Sequence, residues 1–392
     1  MTKPDNRHSA TWDIFCDVVD NYGDIGVTWR LARQLWQEYQ IPVRLWVNDL
    51  SSFQRLVATI DPRASQQMQD HIAIWDWCDI NYADWIPGPV VIEAFACQLP
   101  APIRDRLTQI EHKPIWINLE YLSAETWIDD CHALPSWQTE GLQKYFYFPG
   151  FSAKSGGLFH EQDLEQRHQN WCSQPDQRIR FCQERNLAAP RPNEWFVSLF
   201  CYENPVLPVW LEHMATQSHP IRLLIPEGRV LNSLRGWLQQ SDLPVGSCIK
   251  SGQLWLEIIP MTDQTGYDHL LWSCDFNIVR GEDSFLRAQW AEIPFLWHIY
   301  PQEESAHLDK LTAFIQRYTA GMTPALAQAV SQFFLSFNRE ESQALLEYWT
   351  RLQDLWPEWQ KSSHDWPKTA LAGGNLTSRL VHFVKKKIEC CA

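Results

Sequence analysis

The chain has no G-x-G-x-x-G turn, no G-x-x-x-x-G-K-[ST], no G-x-S-x-G and no H-E-x-x-H. These absences argue against a dinucleotide cradle, a P-loop, a nucleophile elbow and a zincin helix. D-x-D, the usual carboxylate pair for a metal-bound sugar diphosphate, is also missing, and no C-x-x-C or His/Cys cluster has zinc spacing. Basic residues are in deficit, with 33 Lys and Arg against 47 Asp and Glu and a net charge of −14. Direct nucleic-acid binding needs a cationic footprint and is not expected. No apolar run reaches transmembrane length, and the opening MTKPDNRHSATWD lacks the apolar core of a signal peptide. Neither Cys390 nor Cys391 sits four from the end, so no lipid anchor is expected. The 11 cysteines are scattered and odd in number, which suits reduced thiols and a cytoplasmic location.

What is present is apolar and aromatic. Hydrophobic residues make up 45% of 392, with 22 Trp and 18 Phe, read first as core packing. This length suits two α/β domains better than one core. Continuous apolar runs bounded by Pro, Asn and Asp recur at 12–19, 41–47, 89–95 and 114–119, as buried parallel strands do. A Pro- and Ala-rich break covers 185–193, after which runs at 195–202, 221–225, 255–260, 276–279 and 294–299 restart the pattern. Helices are expected at 284–291, 305–318 and 376–387. The expected organisation is a doubly wound N-terminal domain over 1–188 and a second over 189–375. A C-terminal helix at 376–392 is expected to pack back on the first domain. The two domains are expected to face each other across a cleft.

Two polar segments stand at the carboxyl ends of such strands, where open α/β sheets bind ligands. The first is Asp20-Asn21-Tyr22-Gly23-Asp24-Ile25-Gly26, carrying two carboxylates four residues apart, with a helix expected to open near Thr28. The second is Arg280-Gly281-Glu282-Asp283-Ser284. There Asp283 or Ser284 is a candidate helix cap, and an arginine beside a helix start suits a diphosphate. Taken singly, other residues read as structural: His307 with Asp309 as a coincidence of spacing, His298 as a satisfied buried histidine, Tyr202 and Tyr300 as packing.

The blocks FCDVVDNYGDIGV (15–27) and VRGEDSF (279–285) resemble EarP, the family of bacterial protein-arginine rhamnosyltransferases acting on translation elongation factor P. IEAFAC (92–97), NLEYLSAE (118–125), FPGFSAKSGGL (148–158) and WHIYPQ (297–302) extend the resemblance, in order, across residues 12 to 311. It implies a GT-B glycosyltransferase of two Rossmann-like domains with a helical C-terminal segment. The implied reaction is inverting transfer of L-rhamnose from dTDP-β-L-rhamnose to an arginine of elongation factor P, with no cofactor and no metal. A GT-B transferase with another acceptor, or a non-catalytic nucleotide-sugar-binding protein, is the alternative.

The resemblance puts catalytic roles on Asp24, Asp20 and Glu282. It puts donor contacts on Asn21, Tyr22, Gly23, Tyr202, Gln264, Arg280, Gly281, Glu282, Asp283 and Ser284. Met261 stands where some members carry an aromatic that stacks on thymine, with Tyr267 as a nearby substitute. Glu120, Tyr121 and Lys154 are candidate acceptor contacts.

Overall fold

The computed structural model describes residues 11–19, 22–78, 85–138, 141–302 and 305–391. It divides into two compact units, residues 1–162 with 370–392, and residues 163–369.

The first unit contains β1 (Trp12–Cys16), α1 (Gly23–Tyr39), β2 (Val43–Val47), α2 (Leu50–Leu56), β3 (Gln66–Gln69) and β4 (Ile72–Asp76). It continues with β5 (Val90–Ala94), α3 (Ala101–Gln109), β6 (Ile115–Leu119), α4 (Ile128–Cys131), β7 (Pro135–Trp137) and β8 (Gln143–Tyr147). The strand order is β3-β4-β2-β1-β5-β6-β8-β7, parallel except where β3 and β7 pair antiparallel at the two edges. Central strands β1 and β5 are buried along their whole length, which is why their sequences are continuous apolar runs. One face packs on Phe15, Trp46, Trp77, Trp85 and Trp116. The charged exceptions are Glu93 of β5, which accepts from Lys144 at 2.9 Å, and Asp13 of β1, fully buried. It accepts from the Arg44 guanidinium, the Trp46 indole (2.8 Å) and the Gly88 N–H (2.9 Å). A Cβ on Gly88 would lie 1.6 Å from the Thr11 carbonyl, so only glycine lets that contact close.

The second unit begins with α5 (Leu164–Cys172) and α6 (Gln177–Glu184), followed by β9 (Trp195–Leu199), α7 (Leu207–Ala215), β10 (Ile221–Pro226) and α8 (Val230–Leu238). Then come β11 (Cys248–Ser251), β12 (Leu254–Ile259), α9 (Gln264–Ser273), β13 (Phe276–Arg280), α10 (Asp283–Trp290) and β14 (Phe295–His298). A helical layer follows: α11 (Ala306–Thr319), α12 (Pro324–Asn338), α13 (Ser342–Asp354) and α14 (Trp356–Ala370). The order β11-β12-β10-β9-β13-β14 is again doubly wound, with β11 the antiparallel edge. Tryptophans 349, 356 and 359 surround Phe276 at 5.3–5.8 Å, so this part of the aromatic excess is core.

The chain enters the second unit after residue 162, not 188. The 185–193 break lies inside that unit, because the buried Arg222 donates to the carbonyls of Ala188 (2.6 Å) and Ala189 (3.1 Å). The last helix, α15 (Leu376–Cys391), belongs to the first unit, where Thr377 donates to Gln34 of α1 at 2.6 Å. Among the described residues no helix is long and apolar enough to cross a membrane.

Candidate functional site

Each sheet reverses its winding once. In the first unit the switch falls between β1 and β5, and in the second between β9 and β13. Ligands of open α/β sheets bind at such points, beyond the carboxyl ends of the strands. The segment after β1 carries Asp24, and the end of β13 with the turn and helix start that follow carries Arg280 to Ser284.

In the first unit, α1 starts at Gly23, five residues before the expected opening at Thr28. Asp24 is therefore in the first helical turn and not in a loop, where its charge complements the helix dipole. Its carboxylate is buried at 2% exposure. The Val19 N–H donates to Oδ2 at 2.9 Å, and the Tyr121 hydroxyl donates to Oδ1 at 3.1 Å. Asn48, after β2, pins the strand exit by accepting from the Val18 N–H (2.8 Å) and donating to Asp17.

Tyr121 reaches Asp24 because its ring stacks on Phe95 with centroids 4.4 Å apart and planes at 16°. Phe95 and Ala96 both have left-handed backbones, φ 58° and 54°. Such non-glycine strain costs of order 1–3 kcal/mol per residue and persists only where surroundings enforce it. Here the Leu119 carbonyl takes the Phe95 N–H (2.7 Å), and Asn118 Oδ1 takes the Ala96 N–H (3.1 Å). Asn118 also donates to Glu120, so one β6 residue holds both sides of the aromatic shelf. Lys154 is exposed, its N–H turned to the Ser152 hydroxyl at 3.1 Å. The Tyr22 hydroxyl receives a long contact from Arg55 (3.4 Å). Asp20 and Asn21 lie outside the described residues.

In the second unit, Arg280 is the last residue of β13, buried, with its guanidinium carbon 4.8 Å from the ring centroids of both Phe200 and Tyr202. Gly281 turns the chain at φ 62°, its carbonyl held by the Trp297 indole (2.9 Å). The cap of α10 is Glu282, making no side-chain capping bond, where Asp283 or Ser284 was expected; those two begin the helix. Gln264 is buried at the start of α9, whose cap Asp263 accepts from the Gly266 N–H at 2.7 Å. The neighbouring Tyr202 ring meets His298 (5.3 Å) and Tyr300 (5.4 Å) edge-on, with the Arg229 guanidinium 5.4 Å away.

One expectation changes here. His298 is buried, but its Nδ1 has no hydrogen-bond partner, so it is not a satisfied core histidine. Burial, with the Arg280 guanidinium beside it, holds its pKa down to about 3 and keeps the ring neutral. Tyr267 is packed edge-on to Phe200 (5.7 Å), and burial pushes its phenol well above the usual range. The residue is 8% exposed. Asp24's contact with Tyr121 had no local sequence signal, since 97 residues separate them.

Two parallel-rich doubly wound units, each with a polar constellation at its switch point, are the architecture of the GT-B fold. The family model described as Elongation-Factor P (EF-P) rhamnosyltransferase EarP matches residues 12–385. A protein-arginine rhamnosyltransferase of Shewanella oneidensis is 45% identical, covering 97% of this chain and 99% of its own. Another from Pseudomonas aeruginosa is also 45% identical (95% and 98%), and one from Neisseria meningitidis serogroup B is 38% identical (95% and 96%). A solved structure described as the structural basis for EarP-mediated arginine glycosylation of translation elongation factor EF-P is 34% identical, with TM-score 0.70. It covers 96% of this chain and 99% of that one. The chain belongs to the EarP family of protein-arginine rhamnosyltransferases.

Proposed function

We propose that this chain moves L-rhamnose from dTDP-β-L-rhamnose to the side chain of one arginine of translation elongation factor P, in the cytoplasm and without a metal or other cofactor. The observation that carries the reading is the buried Asp24 carboxylate, oriented by the Val19 N–H and the Tyr121 hydroxyl at a switch point. The family relationship supplies the substrates.

Arginine is a poor nucleophile because its guanidinium pKa exceeds about 12. Complete proton transfer to a carboxylate of pKa near 4 would cost on the order of 11–13 kcal/mol. Deprotonation before attack is therefore not the route. Asp20 and Asp24 grip guanidinium N–H groups and draw the positive charge away from one Nη. That nitrogen attacks the anomeric carbon from the face opposite the diphosphate. As the C–N bond forms, the C–O bond to dTDP breaks and takes its electron pair, and the nitrogen becomes acidic enough to give a proton to Asp24. A single base opposite the leaving group accounts for inversion. Arg280 and the start of α10 stabilise the departing diphosphate, with Asp283 and Ser284 at that helix start and Glu282 toward the sugar. Gln264, Tyr202 and Gly281 complete the donor contacts in the second unit. The family resemblance also assigns donor contacts to Asn21, Tyr22 and Gly23.

The test is the intact mass of elongation factor P co-expressed with this chain and purified after the dTDP-rhamnose pathway is supplied. A gain of one deoxyhexose, lost when the target arginine is replaced by lysine, is expected. An unchanged mass would leave only nucleotide-sugar binding. Excess EDTA should leave the purified reaction at full rate, and a rate restored by added metal would overturn the metal-free mechanism.

A further inference from the structure

We propose that Asp268 and Arg287 are positioning residues of the donor site, a buried ion pair that sets the starts of α9 and α10 level and side by side. The proposal rests on the donor-site reading above.

Stepping from β12 to β13 and from β13 to β14 moves in the same direction across the sheet. Right-handed crossovers therefore put α9 and α10 on one face, both starting at the carboxyl edge. Gln264 opens the first helix and Asp283 the second. Asp268 stands four residues into α9 and Arg287 four residues into α10 (268 − 264 and 287 − 283). With about 3.6 residues per turn, each partner lies roughly one turn below its helix start.

Between them Nε donates to Oδ1 at 2.7 Å and Nη2 to Oδ2 at 2.6 Å, with 1% and 2% of the two side chains exposed. Asp268 Oδ2 also receives Arg167 of α5 at 3.4 Å, itself tied to Asp163 at 3.1 Å. The residue beside Asp268, Tyr267, packs its phenol near Ser284 at the start of α10. Both helices are thus cross-linked within their first turn and a half.

Stability does not account for this arrangement. Replacing a buried ion pair by packed apolar side chains is commonly neutral or stabilising. A two-pronged guanidinium–carboxylate pair does what an apolar contact does not, since it fixes direction and register along the helix axis. A slip of one residue would move a helix start by about 1.5 Å. Hydrogen bonds spanning only about 2.7–3.2 Å would not survive that shift at the diphosphate. Asp268 and Arg287 touch no part of the donor; they act through Gln264, Asp283 and Ser284.

The experiment compares dTDP binding by calorimetry, donor and acceptor KM, and thermal midpoint for the wild type and the double variant Asp268→Leu/Arg287→Met. The double variant is expected to fold with a midpoint near that of the wild type. It should bind dTDP about tenfold more weakly, as when one charge-assisted hydrogen bond is lost, with donor KM raised and acceptor KM unchanged. Wild-type dTDP affinity in the folded double variant overturns the proposal while leaving the donor site standing. Failure of the wild-type protein itself to bind dTDP removes the donor site and the clamp with it. Should the double variant not fold, Arg287→Lys keeps the charge on a single prong and is expected to raise donor Kd and KM several-fold at unchanged acceptor KM. Wild-type values in that variant overturn the proposal equally.

Discussion

The Tyr121 hydroxyl donates to Asp24 Oδ1 at 3.1 Å across 97 residues of sequence, and the two side chains meet because Phe95 holds the tyrosine ring from beneath. Both carboxylate oxygens thus receive a donor from their own unit, Oδ2 from the Val19 N–H. A carboxylate held this way has its lone pairs aimed before substrate arrives, which is worth more in a buried site than in water. The Tyr121 hydroxyl is expected to keep its bond to Oδ1 as a guanidinium arrives, while the backbone N–H is fixed by the strand exit.

Tyr121→Phe tests that role. The stack on Phe95 survives and only the hydroxyl is lost. Transfer kcat is expected to fall about three- to thirtyfold, the cost of one hydrogen bond to a charged group, with dTDP affinity unchanged. Tyr121→Ala, which also removes the shelf, should raise acceptor KM in addition. A Phe variant with wild-type kcat would show that the hydroxyl is incidental.

Asp24→Asn keeps the shape and removes the proposed base. Loss of general base catalysis typically costs about 10²–10⁴-fold, so single-turnover transfer should nearly vanish while dTDP affinity stays within a few-fold. Circular dichroism and the thermal midpoint check that the fold is kept. Transfer that survives with only a raised donor KM would move the base elsewhere.

Arg280 lies between the rings of Phe200 and Tyr202, at 4.8 Å from each centroid, a setting that orients the guanidinium. Arg280→Lys retains charge but loses the flat fork, and Arg280→Ala loses both. Calorimetric dTDP affinity should drop in the order wild type, Lys, Ala. The full loss is about ten- to hundredfold, corresponding to roughly 1.5–3 kcal/mol for a charge-assisted contact. Equal affinity in all three would exclude Arg280 from the diphosphate.

Much of this was legible in the sequence, and what was not has physical causes. Buried parallel strands leave continuous apolar runs, so β1, β2, β5, β6, β9, β10, β12, β13 and β14 were all anticipated within a few residues. Edge strands leave none: β3 reads QQMQ and is at most half buried, and β7 is three residues long. The start of α1 was misplaced because Gly23 looks like a turn residue, although it opens the helix that carries Asp24. The unit boundary was set too late because a Pro- and Ala-rich loop clamped by one buried arginine, Arg222, resembles a linker in one dimension. Tyr121 could be marked only as one of three acceptor candidates. Its partnership with Asp24 depends on the left-handed turn at Phe95 and Ala96, for which there is no residue signature when neither is glycine.

The last prediction concerns acid stability in the first unit. His132 follows α4, its Nδ1 accepting the Phe148 N–H at 3.1 Å, a bond only the neutral ring can make. Burial, then the Arg379 charge, lowers its pKa to about 4. In the unfolded chain the same ring titrates near 6.5. Between those values the unfolded state binds more protons, so stability rises with pH across this window and is lost as pH falls from about 6.5 toward 4. In the second unit His168, His219, His269, His298 and His307 are lowered by burial as well, so they act in the same direction. Because His132 is only partly buried, its share is on the order of 1–2 kcal/mol after allowance for solvent screening. Urea midpoints measured at pH 7.5, 6, 5 and 4.5 should decline stepwise for the wild type. His132→Asn, whose side-chain carbonyl can still accept from Phe148, should start slightly lower and decline less steeply. Parallel slopes for the two proteins would place the acid sensitivity on other groups.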